Sequence, residues 1–334
     1  MSVRTVDGSV VVVTGATAGV GRATARAFAR RGCSVALLAR GEERLAATAL
    51  EVENLGGTAL PIATDVANDE RVEHAAARAE RELGPIEVWV NNAMTTVFSP
   101  LKNITPEEFR RATEVTYHGT VWGTMAALRR MLPRDRGVIV QVGSALSHRA
   151  IPLQSPYCGA KHAIRGFTDS LRSELIHEDS RVHLTMVQLP ALDTPQFGWS
   201  RAKLPRHPQP VPPIFDPEIA GDAVLWAAEH DRREFWVGAP TVKAIVGSRV
   251  VPGWLDHYLA DTAWDGQMLD EPIEPGRPDN LFEPVPGDPG MRGRFGARAR
   301  GRSPLTWISE RRGALMGAAA LTAGVTAFGL LKRS

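Results

Sequence analysis

Between residues 9 and about 190 the chain alternates between two hydrophobic rhythms. Six short runs (SVVVVTG, CSVALLA, ALPIATD, IEVWVNN, GVIVQVG and HLTMVQL) are nearly continuous in apolar, often β-branched residues. Strands buried on both faces read this way. The stretches between them are rich in Ala, Arg and Glu and read as helices. Strand–helix repetition with short loops predicts right-handed crossovers, and so an α/β fold with a doubly wound parallel sheet and helices on both faces. Residues 193–217 are crowded with proline and predict an irregular loop. A helix over about 217–230 and a strand in FWVGA close a domain spanning 1–240. Residues 241–270 read as an amphipathic helical extension. Residues 271–312 carry Pro, Gly and Arg without periodicity and predict a poorly ordered linker.

Composition narrows the class. Hydrophobic residues make up 43% of 334, enough for a sizeable core, and the net charge of +2 creates no field that would call for nucleic acid. The two cysteines, Cys33 and Cys158, cannot build a disulfide framework, and no Cys/His group has metal-binding spacing. A reducing compartment and no metal are therefore expected. The N-terminal apolar run is too short for a signal peptide.

The first predicted strand runs into TGATAGVG, with Gly15, Gly19 and Gly21 ahead of a helix. Gly15 permits a sharp turn, Gly19 lets backbone approach a pyrophosphate, and Gly21 lets the helix pack close to the sheet. Between the first strand and first helix of an α/β chain, this spacing points to dinucleotide binding. The second strand ends at Ala39-Arg40, where an acidic residue would bind a ribose 2′-hydroxyl. A small residue followed by arginine suits a 2′-phosphate instead, so NADP(H) is expected over NAD(H). Arg40 otherwise simply opens a solvated helix. Asp65 and the pair Asn91-Asn92 close later strands at the ligand-binding edge, Asp65 where a carboxylate meets an adenine amino group. Both sites also suit plain turns.

In SPYCGAKHAIRG, Tyr157 and Lys161 stand at i and i+4 and share a helix face. A lysine ammonium beside a phenol favours phenolate and is expected to lower the tyrosine pKa towards neutrality. Such a tyrosine donates a proton to a carbonyl oxygen or takes one from an alcohol.

With these motifs in hand, residues 7–240 resemble the short-chain dehydrogenase/reductase family, in its compact single-domain branch with a Rossmann-type sheet. TGATAGVG resembles that family's T-G-x-x-x-G-x-G, NNAM its N-N-A-G, YCGAK its Y-x-x-x-K, and LPALDT (189–194) its P-G-x-x-x-T. Ser144 has the spacing of the family's catalytic serine, and Ser147 does not. The resemblance implies catalytic roles for Ser144, Tyr157 and Lys161, with Thr116 at the position of an asparagine that anchors a proton-relay water. It implies cofactor binding by Gly15, Thr17, Gly19, Val20, Gly21, Arg40, Asp65, Val66, Asn92, Tyr157, Lys161, Pro190, Leu192 and Thr194. The implied activity is hydride transfer between a nicotinamide and a carbonyl or secondary alcohol. A homo-oligomer, dimer or tetramer, is implied through the helix 155–178.

Three departures matter. Thr116 replaces the asparagine, Met94 the glycine of N-N-A-G, and Ala191 the glycine of the last motif. They leave open a dinucleotide-binding protein with negligible turnover. An epimerase or dehydratase using the same Tyr/Lys pair is disfavoured by the glycine spacing and the lack of a large sugar-nucleotide domain. Phe197, Trp199, Leu204 and Phe215 in the proline-rich loop suggest either an apolar substrate lid or packed surface aromatics.

Residues 313–331 carry no charge and lie between Arg311-Arg312 and Lys332-Arg333. The length suits a membrane span, although Ala and Gly make insertion only marginal. A helix on a neighbouring subunit and a tail on a membrane surface are the competing readings. Arg292, Arg294, Arg298, Arg300 and Arg302 lie upstream and suit anionic headgroups. A span with this basic flank would leave the catalytic domain cytoplasmic.

Overall fold

The computed structural model describes residues 4–311. Seven strands form one sheet: β1 (Val10–Thr14), β2 (Ser34–Ala39), β3 (Thr58–Ala63), β4 (Ile86–Asn91), β5 (Val138–Val142), β6 (His183–Gln188) and β7 (Glu234–Trp236). Their order is β7-β6-β5-β4-β1-β2-β3, and every pairing is parallel. The order reverses at β1, which places a crevice at the carboxyl end of that strand.

Two helical layers cover the sheet, and the alternation of side chains explains the continuous apolar runs. Val11 and Val13 face one layer, made by α1 (Gly19–Ala29), α2 (Glu42–Asn54) and α8 (Pro217–Glu229). Val10 and Val12 face the other, made by α3 (Asp69–Leu83), α5 (Gly119–Met131) and α6 (Ser155–His177). The strand β3 departs from this pattern: Thr58, Pro61 and Ala63 are exposed because it is an edge, where proline is tolerated. The helix α4 (Pro106–Thr113) opens with a capping box at Thr105 and Glu108, and passes into α5 through a π-turn, Glu114–His118.

The proline-rich stretch is mostly irregular, holding only α7 (Gln196–Trp199) and three short strand segments. Residues 241–270 form two helices rather than one amphipathic unit, α9 (Gly238–Val250) and α10 (Pro252–Gly266). In α10, Trp254 and Tyr258 stack on each other and are exposed, while Ala263 is buried.

The expectation of a poorly ordered segment after residue 271 does not hold for its described part. Met268–Pro272 pairs with Arg206–Pro208, and the chain then crosses the carboxyl edge of the sheet as a strap. Leu281 is fully buried with Val97 and Ala112, and Phe295 packs among Phe98, Phe197 and Ile214. Asp288 pairs with Arg22, a buried residue of α1 that also pairs with Glu51. Ala299–Arg300 pairs with Ile214–Phe215, and α11 (Pro304–Glu310) follows. Aperiodic sequence left only short regular elements here, but it did not preclude anchoring by single apolar residues and ion pairs. The upstream arginines are drawn into the same packing. Arg292 binds Asp216 and Glu218, Arg294 binds Glu271, and Arg298 binds Gln209. No described helix is long and apolar enough to cross a membrane, and the candidate segment 313–331 lies outside the described residues.

Leu281 is the main apolar anchor of the middle of the strap, so Leu281→Ala should cost about 2–4 kcal/mol of local packing. Limited proteolysis is expected to cleave the variant between residues 274 and 300 while residues 4–270 stay intact; unchanged resistance would show that the anchor lies elsewhere.

Candidate active site

The glycine turn leaves β1 at the reversal of the sheet. Gly19 has φ of +50°, and a Cβ there would lie 2.9 Å from Thr194 Cγ2. At Gly21 a Cβ would overlap the Gly15 carbonyl, so only glycine lets α1 start against the turn. Asn92 secures the arrangement: its Nδ2 donates to the carbonyls of Thr14 (2.9 Å) and Gly15 (3.2 Å), and its backbone N–H donates to Thr14 Oγ1. The N-terminus of α1 has no side-chain cap and no acidic residue in its first turn. Its backbone donors therefore remain available to an anion, and Ala18, Gly19 and Val20 line the adjacent cavity.

The cavity, about 410 Å³, runs along the carboxyl ends of the strands. It is lined by Gly15, Thr17, Gly19, Val20, Arg40, Asp65, Val66, Asn92, Ser144, Tyr157, Lys161, Pro190, Leu192 and Thr194. Of the anticipated site residues, only Gly21 and Thr116 lie off its wall. A larger cleft of about 960 Å³ lies at the opposite ends of the strands, among Arg134, Arg136, Arg172, Arg181 and Arg233. Each of those arginines makes an ion pair, and the cleft holds none of the motif residues.

At one end of the cavity the strap meets the β2–α2 turn. Arg40 donates to the carbonyls of Phe282 (2.6 Å) and Asn280 (2.5 Å), and Arg44 to those of Gly287 (2.7 Å) and Val285. Arg44 also lies over the Trp199 ring at 4.6 Å. Neutral carbonyls, not carboxylates, hold both guanidiniums, so their positive charge stays uncompensated by any ion pair among the described residues. Asp65 lines the same end, but its Oδ2 takes a 2.6 Å bond from Arg111 and its Oδ1 accepts from the Ala67 N–H.

At the other end stand Ser144, Tyr157 and Lys161. Ser144 follows β5, and its backbone N–H is held by Gln188 Oε1 (2.9 Å) and Ser147 Oγ (3.1 Å). Tyr157 and Lys161 come from the first two turns of α6, which begins with Pro156 in its first turn. The Lys161 amine is buried, donates to the Val142 carbonyl at 2.6 Å and lies 5.5 Å from the centre of the Tyr157 ring.

Burial reverses the expected direction of the tyrosine shift. It raises the Tyr157 phenol above the ordinary value, and the neighbouring Ser144 side chain offsets this only in part. Tyr157 is partly open to the cavity, and water there moderates this push without reversing it. The lysine is itself desolvated: burial brings Lys161 down to about 8.

Thr116 is fully buried in the π-turn. Its Oγ1 donates to the Thr95 carbonyl (3.0 Å) and accepts from the Thr95 N–H (3.1 Å), while its own carbonyl accepts from Thr120. Both groups that a relay water would use thus have protein partners: the hydroxyl holds the segment after Asn92, and the carbonyl is bonded by Thr120 of α5. Asn91, unlike Asn92, points into the core and bonds Trp89, Thr124 and Gln141.

In the proline-rich loop, Phe197 and Trp199 line the cavity with Met94 and Ala191, whereas Leu204 and Phe215 are buried in the hydrophobic packing beside it. Several lining residues carried no sequence signal: Ala244 from α9, Leu259 and Ala263 from α10, and Asn280 and Pro284 from the strap. Arg44 was accessible from its i+4 spacing to Arg40.

The strand order reverses at a glycine turn, and Ser144 after β5 lines the same cavity as Tyr157 and Lys161 from α6. The short chain dehydrogenase family model matches residues 9–204. An uncharacterized oxidoreductase of Bacillus subtilis, YxnA, is 31% identical over 97% of this chain and 90% of its own length. Human 17-beta-hydroxysteroid dehydrogenase 13 is 36% identical over 52% of this chain and 57% of its own. An alcohol dehydrogenase from Thermococcus sibiricus, solved with 5-hydroxy-NADP, superposes with a TM-score of 0.59 at 29% identity, covering 69% of this chain and 95% of that one. The chain belongs to the short-chain dehydrogenase/reductase family and is an oxidoreductase acting on CH–OH or C=O groups.

The buried amine has a measurable consequence for stability. Its folded-state pKa lies below the ordinary lysine value, so between about pH 8 and that value the unfolded chain binds more protons. The Lys161 contribution to stability therefore rises with pH across this window, with the full penalty present below it, while the buried thiols Cys33 and Cys158, each raised to about 11, contribute in the opposite sense. Lys161→Met should remove the penalty and stabilise the cofactor-free protein by about 2 kcal/mol at pH 7. Thermal melts at pH 7 and pH 10 check this; a variant no more stable than wild type at pH 7 contradicts it.

Proposed function

We propose that the protein is an NADP(H)-dependent oxidoreductase acting on an apolar carbonyl or secondary alcohol. The observation that carries the reading is the convergence of Ser144, Tyr157 and Lys161 on the cavity that also receives the uncapped end of α1. The fit to a dinucleotide rests on those free backbone donors, on the close approach that Gly19 permits beside Thr194, and on the buried, unpartnered Thr194 Oγ1, suited to a carboxamide. Arg40 and Arg44, oriented by carbonyls but not neutralised, favour a 2′-phosphate over a bare hydroxyl.

When bound, the nicotinamide supplies or takes up the hydride. The chain's own groups do the rest. Tyr157 donates its phenolic proton to the substrate oxygen in reduction and accepts it in oxidation. Ser144 hydrogen-bonds the same oxygen and fixes its place, while Lys161 holds ribose hydroxyls and favours the phenolate as the proton leaves. The commitment of Thr116 to Thr95 supports a slower resupply of that proton than a dedicated relay gives. Met94, Phe197, Leu259 and Ala263 supply an apolar wall, consistent with a hydrophobic substrate. The relative named for hydroxysteroids supports the same class.

Tyr157→Phe should lower kcat/KM for carbonyl reduction by about 10²–10⁴ while leaving NADPH affinity within about two-fold, a hydroxyl not needed for cofactor binding contributing little there. Steady-state rates over a panel of apolar ketones, paired with NADPH titration by fluorescence, test this. Equal background rates in both proteins would instead favour a dinucleotide-binding protein without turnover, and equal affinity for NADH and NADPH would remove the 2′-phosphate reading.

A further inference from the structure

We propose that Asn280, on the C-terminal strap, reads the adenine ring of the cofactor. The inference rests on the dinucleotide reading above and adds to it a recognition element outside the residues that the family model matches. Asn280 lines the cavity at the end walled by Arg40, Arg44 and Asp65. Its backbone is fully engaged: the N–H donates to the Trp199 carbonyl (2.9 Å) and the carbonyl accepts from Arg40 (2.5 Å). These bonds fix the residue in place and leave the carboxamide as its only uncommitted group. Asn280 Oδ1 is buried and has no hydrogen-bond partner among the described residues.

A buried acceptor without a donor is unfavourable by about 1–3 kcal/mol. A planar ring edge carrying an amino donor beside a ring-nitrogen acceptor satisfies it. Carboxamides pair with adenine in this way, the oxygen accepting from the 6-amino group and the nitrogen donating to N7.

The residue first expected to meet the adenine amino group is turned to other work. Both oxygens of Asp65 are engaged, one by Arg111 and one by the Ala67 N–H. Arg111 also donates to the Leu281 carbonyl, so it ties Asp65 directly to the residue beside Asn280. The strap thus brings a neutral, two-sided hydrogen-bonding group to the place where the carboxylate has been drawn aside. A neutral amide also avoids placing a further negative charge beside the 2′-phosphate that Arg40 and Arg44 would hold.

Calorimetric binding of NADP⁺ and its hypoxanthine analogue tests the assignment without relying on turnover. In the analogue a carbonyl oxygen replaces the 6-amino group, so a facing Oδ1 meets an acceptor instead of a donor. The full-length wild-type protein should prefer NADP⁺ by about ten-fold, the scale of one hydrogen bond lost. Asn280→Leu should bring the two affinities within about two-fold of each other by weakening NADP⁺, whereas Asn280→Asp, which keeps an acceptor, should retain the preference. If Asn280→Leu discriminates as well as wild type, or if Asp65→Asn alone abolishes the preference, the assignment to Asn280 is wrong. Wild-type protein that binds neither nucleotide would overturn the dinucleotide reading itself, a result distinct from loss of discrimination.

Discussion

A lysine amine shut away from water and held by one carbonyl is the constraint on which the site is built. Lys161 reaches back from α6 to the Val142 carbonyl at the end of β5. That bond fixes the roll of the helix against the sheet, and with it the position of Tyr157 one turn earlier. Ser144, two residues beyond Val142, is placed by the same strand end and clamped through its backbone by Gln188. Burial keeps the amine poorly solvated and its pKa near 8, so small changes in its surroundings decide whether it is charged. The phenol beside it sits in the opposite tension, protonated by burial. Opposing shifts of this kind are how one pocket holds a proton ready without releasing it.

The strap extends this logic to the far end of the cavity. A family fold ending near residue 240 would leave Arg40 and Arg44 on the rim. Here four backbone carbonyls from residues 280–287 restrain them, and the Arg22–Asp288 pair locks the segment to α1. Restraint by carbonyls preserves charge where a carboxylate would have cancelled it. Arg277 continues the strap's grip on the proline-rich loop, donating to the carbonyls of Phe197, Gly198 and Ser200 around the end of α7. One segment therefore secures the proline-rich loop at one end of the cavity and the wall beside Arg40 and Arg44 at the other.

The elements that set the fold were legible because their signals are local. Continuous β-branched runs, Ala/Arg-rich intervals and a glycine turn are each contained in a few residues, and each of the seven strands of the sheet overlaps a run read from the pattern to within one residue at its start. The cavity likewise gathers nearly every motif residue, since strand ends in a parallel sheet meet at one edge. What could not be read were the partners: the arginine that draws Asp65 aside, the backbone that absorbs the Thr116 hydroxyl, and the strap residues that finish the wall.

The sequence by itself determined which candidate site residues stand together and how far apart they lie on one helix or one turn, because i to i+4 spacing and glycine freedom are properties of the backbone alone. Only the tertiary structure decided how each group is solvated and who shares its hydrogen bonds. Those depend on side chains hundreds of positions away, as between Arg22 and Asp288 or Arg40 and Phe282. Desolvation is a sum over everything packed nearby, and no local pattern encodes it. That is why the tyrosine–lysine pair was found from spacing, while the direction of the tyrosine's shift was not.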